Sequence, residues 1–172
     1  FKPDYFYCGQ ALPQERRADI GYIVDATAWK GEENTYPAFN YQQFMELHQS
    51  QAPVKFLFIP YMALTEEATA CLRQHPEVVV IAQSVHPNRL GELRGLVHQM
   101  MVQGLENPVV FFQFYQENNL EDLQIKAAAD MGALIFDGFC DGILIYNHGE
   151  SITDIKIDET AFGILQAGRI RT

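Results

Sequence analysis

Two stretches of this chain, EVVVIAQS (77–84) and NPVVFFQFY (107–115), are apolar at almost every position. A strand with one face in water alternates apolar and polar residues, so runs like these belong to strands covered on both faces. Strands of that kind occur in parallel sheets, whose crossovers lay helices against the sheet. The residues between the two runs fit that role. From Leu90 to Gln103, the apolar residues Leu93, Leu96, Val97, Met100 and Met101 recur at helical spacing. Strand, helix, strand in this form predicts an α/β chain with a largely parallel sheet and flanking helices.

The rest of the chain extends the alternation. YFYC (Tyr5–Cys8) and GYIVDA (Gly21–Ala26) read as strands from their aromatic and β-branched content. The polar stretch that holds Gly31, Asn34 and Pro37 reads as a loop. Asn40 is a good N-cap, and YQQFMELHQS after it reads as a short helix with Phe44 and Leu47 on one face. VKFLFIPY is the next strand, ended by Pro60, which has no N–H for the ladder. Thr65 then caps EEATACLRQH, whose Ala68, Cys71 and Leu72 share a face. His75-Pro76 and His86-Pro87 mark element ends, because the residue before Pro is pushed out of the helical region. Asn118 or Asn119 caps a helix that starts at Leu120, with Glu121 and Asp122 where the helix dipole favours negative charge. No linker, repeat or low-complexity tract interrupts the pattern, so residues 1–172 are expected to form one domain.

DMGALIFDGFCDGILIY (130–146) places two Asp-Gly pairs in an apolar run. If Ala133–Asp137 and Gly142–Tyr146 were neighbouring parallel strands, Gly138–Asp141 would have to make the crossover, which takes about a dozen residues. The alternatives are an antiparallel hairpin, or a helix that runs through the first half. Leu120, Leu123, Ala127, Met131, Leu134 and Ile135 hold one helical face, which favours helix, tight turn, strand. Gly138 then stands at the left-handed position after the helix, and Gly142 opens the strand. Asp137 and Asp141 could form a general acid–base pair, but turn chemistry explains them better, since Asp in such corners binds nearby backbone N–H groups.

Composition narrows the partners. The 172 residues carry 22 acidic and 12 basic side chains, a formal charge of −10 that repels a phosphate backbone and excludes nucleic acid as the expected partner. No apolar run approaches the ~20 residues of a membrane helix. The chain opens at Phe1 and is expected to be a piece of a longer protein, without a leader. Cys8, Cys71 and Cys140 lie far apart and odd in number, which suits free thiols in a reducing cytoplasm and not a disulfide framework or a cluster site. His48, His75, His86, His98 and His148 fall at no metal-ligand spacing. Arg16-Arg17 reads as solvated loop. Arg169 and Arg171 fall late in a C-terminal helix, where cations suit the dipole and could face a neighbouring domain.

Two segments carry a family resemblance. NLEDLQIKAAADMGALIFDGFCDGILI followed by FGILQAGRIRT resembles part of the long, three-domain form of 4-hydroxy-3-methylbut-2-enyl diphosphate synthase, found in plants and some bacteria. DYFYCG, DIGYIVDATAW and KFLFIPY fit the same region more loosely. The resemblance implies a reductase of the methylerythritol phosphate route to isoprenoids. That enzyme opens a cyclic diphosphate with a [4Fe–4S] cluster fed by ferredoxin or flavodoxin. It further implies that this chain is the insert between the substrate barrel and the cluster domain, a degenerate relative of the TIM-barrel fold. The family's cluster cysteines follow the segment that ILQAGRIRT resembles, so no cofactor or metal ligand is expected here.

One departure bears on function. The family's catalytic barrel has a segment of the type G-D-T-[IL]-R-V-S-L, and against it this chain reads Cys140-Asp141-Gly142-Ile143-Leu144-Ile145-Tyr146-Asn147. Leu144 stands where the Arg would be and Tyr146 where the Ser would be, and an aliphatic side chain offers a phosphate no donor. The first expectation is therefore a spacer with no catalytic, cofactor-binding or metal-binding residue, whose partners are the flanking barrel and cluster domains. A second is a separate barrel-type enzyme with its site at the C-terminal strand ends, built from Asp25, Gln83, Gln113 and Tyr115 with Asp141 near the mouth. A third is a protein-docking module.

Overall fold

The computed structural model describes residues 2–168. Seven strands are interleaved with five α-helices: β1 (Tyr5–Tyr7), β2 (Gly21–Asp25), β3 (Thr35–Asn40), α1 (Phe44–Gln49), β4 (Lys55–Pro60), α2 (Glu66–Gln74), β5 (Val78–Gln83), α3 (Arg89–Val102), β6 (Val109–Tyr115), α4 (Leu120–Phe136), β7 (Gly142–Asn147) and α5 (Asp154–Ala167). A 3₁₀ turn, Tyr61–Ala63, follows β4. All seven strands are parallel and stand in chain order in one sheet. The α/β expectation holds, with the parallel sheet complete.

The sheet is curled. The ring centroids of Tyr5 and Phe56, and of Tyr7 and Phe58, stand 5.2 Å apart, although β1 and β4 are three places apart in the sheet. On a flat sheet those strands would be about 14 Å apart, so the rings meet because that face is concave. The architecture is a partial barrel with helices outside. Its outer face holds the larger core, where Leu57, Ile59, Val80 and Phe111 pack with Leu72, Leu96, Leu123 and Met131 of the helices. The concave face holds a smaller cluster of Ile23, Ala38, Phe56 and Ile81, with Tyr36, Phe58, Phe112 and Leu144 against it.

The corner at 130–146 resolves as helix, turn, strand. Asp137 caps α4, Gly138 follows with φ +76°, and the Phe139 N–H reaches the Leu134 carbonyl at 3.0 Å. This is a Schellman ending, which a left-handed glycine makes without strain. Thr65 caps α2 and Asn119 caps α4, both through the side-chain oxygen. The expected helix face of α4 is buried from Leu123 to Ile135.

Three expectations need correction. The stretch through Pro37 is not all loop, because β3 spans Thr35–Asn40 in the interior of the sheet. Pro37 pairs with Val24 of β2, whereas pairing with β4 begins only at Ala38, so its missing N–H costs no ladder bond there. Asn40 is not a helix cap. It ends β3, and its side-chain oxygen accepts from the Gln42 N–H at 2.9 Å in a tight turn, which delays α1 to Phe44. Met101, expected in the stripe of α3, is exposed, and only Met100 of that pair is buried. Arg169 and Arg171 lie outside the described residues.

Candidate functional site

Side chains alternate along each strand, so residues in register with the concave cluster face inward and their neighbours face the helices. By that parity the inward positions at the C-terminal strand ends are Tyr7, Asp25, Asn40, Pro60, Gln83, Phe114 and Tyr146. Asp25 and Gln83 thus occupy the end where barrel enzymes keep their sites. The Tyr7 hydroxyl donates to Asp25 Oδ1 at 2.6 Å. Burial, and next this bond, push the Tyr7 phenol well above its ordinary value, so it remains a donor.

Gln113 and Tyr115 sit on the same β6 but face the helices. Gln113 is 1% exposed, and neither side-chain atom of its amide has a hydrogen-bond partner among the described residues. A buried amide of this kind is expected to cost stability. Gln113→Met should raise the unfolding free energy by about 1–2 kcal/mol in urea melts. A loss of stability would show that the amide is satisfied after all. Tyr115 is likewise buried, and its hydroxyl donates to Asp130 Oδ2 at 2.9 Å. The Arg89 guanidinium reaches the same oxygen at 3.0 Å and lies 5.6 Å from the centre of the Tyr115 ring. Burial, followed by the Asp130 charge, raises the Tyr115 phenol. These groups lock α3 and α4 to the sheet and do not reach the concave face.

Asp141 is not near the mouth. It precedes β7, at the N-terminal end of the sheet, and its carboxylate accepts the Val109 N–H at 2.8 Å while its own N–H donates to the Val109 carbonyl at 2.7 Å. Asp137 instead pairs with Arg94 at 2.7 Å. Each carboxylate therefore has its own structural partner: a strand-edge backbone N–H for Asp141, and a guanidinium of α3, not the turn bonding expected from sequence, for Asp137.

The concave face itself is aromatic. Tyr5, Tyr36 and Phe56 meet edge to face, Phe58 meets Phe112 at 5.7 Å, and Phe114 stacks on Tyr146 at 5.6 Å. Among the described residues, no inward strand position carries Lys or Arg. Leu144 and Tyr146 both face inward, Tyr146 half-exposed and Leu144 packed on the smaller cluster. A multiply charged anion would find neither a cation nor a guanidinium fork here.

One cluster was not visible in sequence. Lys55, only 3% exposed, donates to Glu77 Oε1 at 2.7 Å, and His75 Nδ1 meets the same oxygen at 2.9 Å. His48 Nδ1 lies 2.8 Å from His75 Nε2. A carboxylate only accepts, so His75 donates to Glu77 from Nδ1. Burial opposes the charge on Glu77, but the bonds from Lys55, its own backbone and His75 prevail and bring it down to about 2. The cluster joins residues 27 and 22 positions apart, which no local motif announces.

The three thiols stand apart in the fold. Cys8 follows β1, Cys71 is on α2 and Cys140 precedes β7, so no two share an element. Burial pushes Cys71 up to about 11 and Cys140 up to about 12, and raises Cys8, so all three stay protonated. No group of three or more His, Cys, Asp or Glu placed to hold a metal occurs among the described residues. No helix among them is long and apolar enough to cross a membrane.

Fold and site together define an α/β partial barrel whose inward strand positions, among the described residues, carry no Lys or Arg. The comparisons with known proteins give the family. The chain is 66% identical to the 4-hydroxy-3-methylbut-2-en-1-yl diphosphate synthase (flavodoxin) of Phocaeicola vulgatus, over 100% of its own length and 28% of that protein's. It is 62% identical to the same-named protein of Bacteroides fragilis, over 100% of this chain and 27% of the relative. It is 33% identical to the chloroplastic, ferredoxin-named synthase of Oryza sativa, over 48% of this chain and 11% of the relative. The chain belongs to the 4-hydroxy-3-methylbut-2-en-1-yl diphosphate synthase family, as a segment of its long form. It spans little more than a quarter of the length of the bacterial relatives that match it in full. No family model and no solved structure matches it.

Proposed function

We propose that this chain is a structural insert in an iron–sulfur reductase of isoprenoid biosynthesis, and carries no catalytic, cofactor-binding or metal-binding residue of its own. The observation that carries the reading is the concave face, where aromatic rings and aliphatic side chains pack against one another and no inward strand position carries Lys or Arg. A cyclic diphosphate needs cations or N–H donors, and the inward strand positions supply no basic side chain. The protonated, scattered thiols support a [4Fe–4S] cluster held elsewhere in the longer protein, with ferredoxin or flavodoxin as its electron donor. The insert's task is mechanical. It forms a domain that spaces a substrate barrel from a cluster domain, in a cytoplasmic enzyme, so that the two can close over substrate.

Kinetics of the full-length enzyme test this. Tyr7→Phe, Asp25→Ala and Gln83→Ala alter inward polar groups at the C-terminal ends of β1, β2 and β5, the first two of them hydrogen-bonded to each other. Both kcat and KM are expected to stay within about twofold of the parent, because none of the three touches substrate in this reading. A drop of tenfold or more in kcat, with unchanged melting behaviour, would move the site onto this segment.

A further inference from the structure

Every strand runs the same way, so all strand C-termini and all helix N-termini open onto one rim of the half-barrel. Exposed large apolar side chains gather on that rim. Met45 in the first turn of α1 is 69% exposed, Met62 in the 3₁₀ turn is 84% exposed, and Val85 after β5 is fully exposed. Tyr61, Phe114 and Tyr146 stand beside them in the loop after β4 and at the ends of β6 and β7, each exposed by 42% or more. The opposite rim shows fewer, Met101, Val102 and Phe136 at the ends of α3 and α4 and Tyr5 at the start of β1.

Charge gives the rim its sign. The first helical turns place Glu46, Glu66, Glu67, Glu121, Asp122 and Asp154 there, and none of these makes an ion pair among the described residues. The cations near the same helix entries, Arg89, Lys126 and Lys156, are already held by Asp130, Glu117 and Glu159. The rim is thus an apolar surface bordered by unneutralised carboxylates. Such a face repels its own copy and fits a surface that is apolar at the centre and basic at the border.

We infer that this rim is the surface by which the segment docks onto the rest of its own longer polypeptide, through a face of that apolar and basic chemistry. The relatives that match the whole chain extend far beyond it, since it covers only 27–28% of their length, so a covering surface of the same protein is at hand. The identity of the partner rests on the insert reading above, whereas the docking surface rests on exposure and charge alone.

Methionine footprinting of the full-length enzyme reads the contact directly, and no assay of activity enters it. Met45, Met62 and Met101 are exposed by 69%, 84% and 59%, so in an uncovered segment mild peroxide would oxidise them at rates within about twofold of one another. The inference expects Met45 and Met62 to be slowed at least fivefold relative to Met101, at every protein concentration. It also expects Glu66→Lys with Glu67→Lys to restore Met62 to within about twofold of Met101. Equal rates at all three sites, slowing at Met101 instead, or protection that the charge reversals leave intact would each overturn it. Protection lost on dilution would assign the rim to a second copy and overturn the partner named here.

Discussion

Phe111→Ala is expected to cost about 3–5 kcal/mol, as large aromatic truncations in a packed core do. Phe111 lies in the middle of β6, is 0% exposed, and faces the helix layer with the larger core around it. The flanking strands pair with it through Ala82 and Ile143, so nothing larger than alanine backs it from β5. The cavity can therefore collapse only by moving α3 or α4. Urea melts should show a lower midpoint with an unchanged slope. A cost near 1 kcal/mol would mean that the helix layer is looser than its burial implies.

The second large effect is expected at Glu77. Glu77→Gln removes the partner of a Lys55 ammonium that is 3% exposed, and a buried charge left without its counter-charge costs about 3 kcal/mol. In a chain of this size that is a drop in Tm of roughly 6–12 °C. The double variant Lys55→Met with Glu77→Gln should return to within about 1 kcal/mol of the parent, because a neutral pair needs no compensation. The pH dependence has a definite sign. Folding holds Glu77 near 2 against an ordinary 4.5, so the unfolded chain binds the proton first. The stabilisation is complete above the ordinary carboxylate value and disappears as pH falls through about 2. Salt weakens it, since Glu77 is partly exposed. Acid melts of Glu77→Gln should lack that segment of the slope. An unchanged slope would remove Glu77 from the account of acid stability.

Much of this fold is legible in sequence. Apolar runs such as 77–84 and 107–115 announce buried parallel strands, and the face from Leu123 to Ile135 announces α4 and the glycine turn after it. β3 is hidden because Pro37 argues against an interior strand, and only the stagger between its two neighbours makes a proline acceptable there. The candidate site was legible in part. Asp25 and Gln83 end their strands and do reach the concave mouth. Gln113 and Tyr115 could not be placed, because a strand apolar on both faces gives no sign of which face is inside. Asp141 could have been placed, since a residue that opens a parallel strand lies at the opposite end from those that close one. The Lys55–Glu77–His75–His48 chain depends on contacts between distant residues, and no spacing foretells it.

The most direct test of the insert reading is the thermal midpoint of this 172-residue chain, with and without the cyclic diphosphate opened by enzymes of this family. A ligand at about 100 times its Kd adds about 2.7 kcal/mol, a rise of roughly 5–10 °C for a chain of this size. Inward strand positions without basic side chains are expected to give no shift at millimolar ligand. A rise of several degrees would show an anion site on this segment despite Leu144 and Tyr146, and would contradict the account.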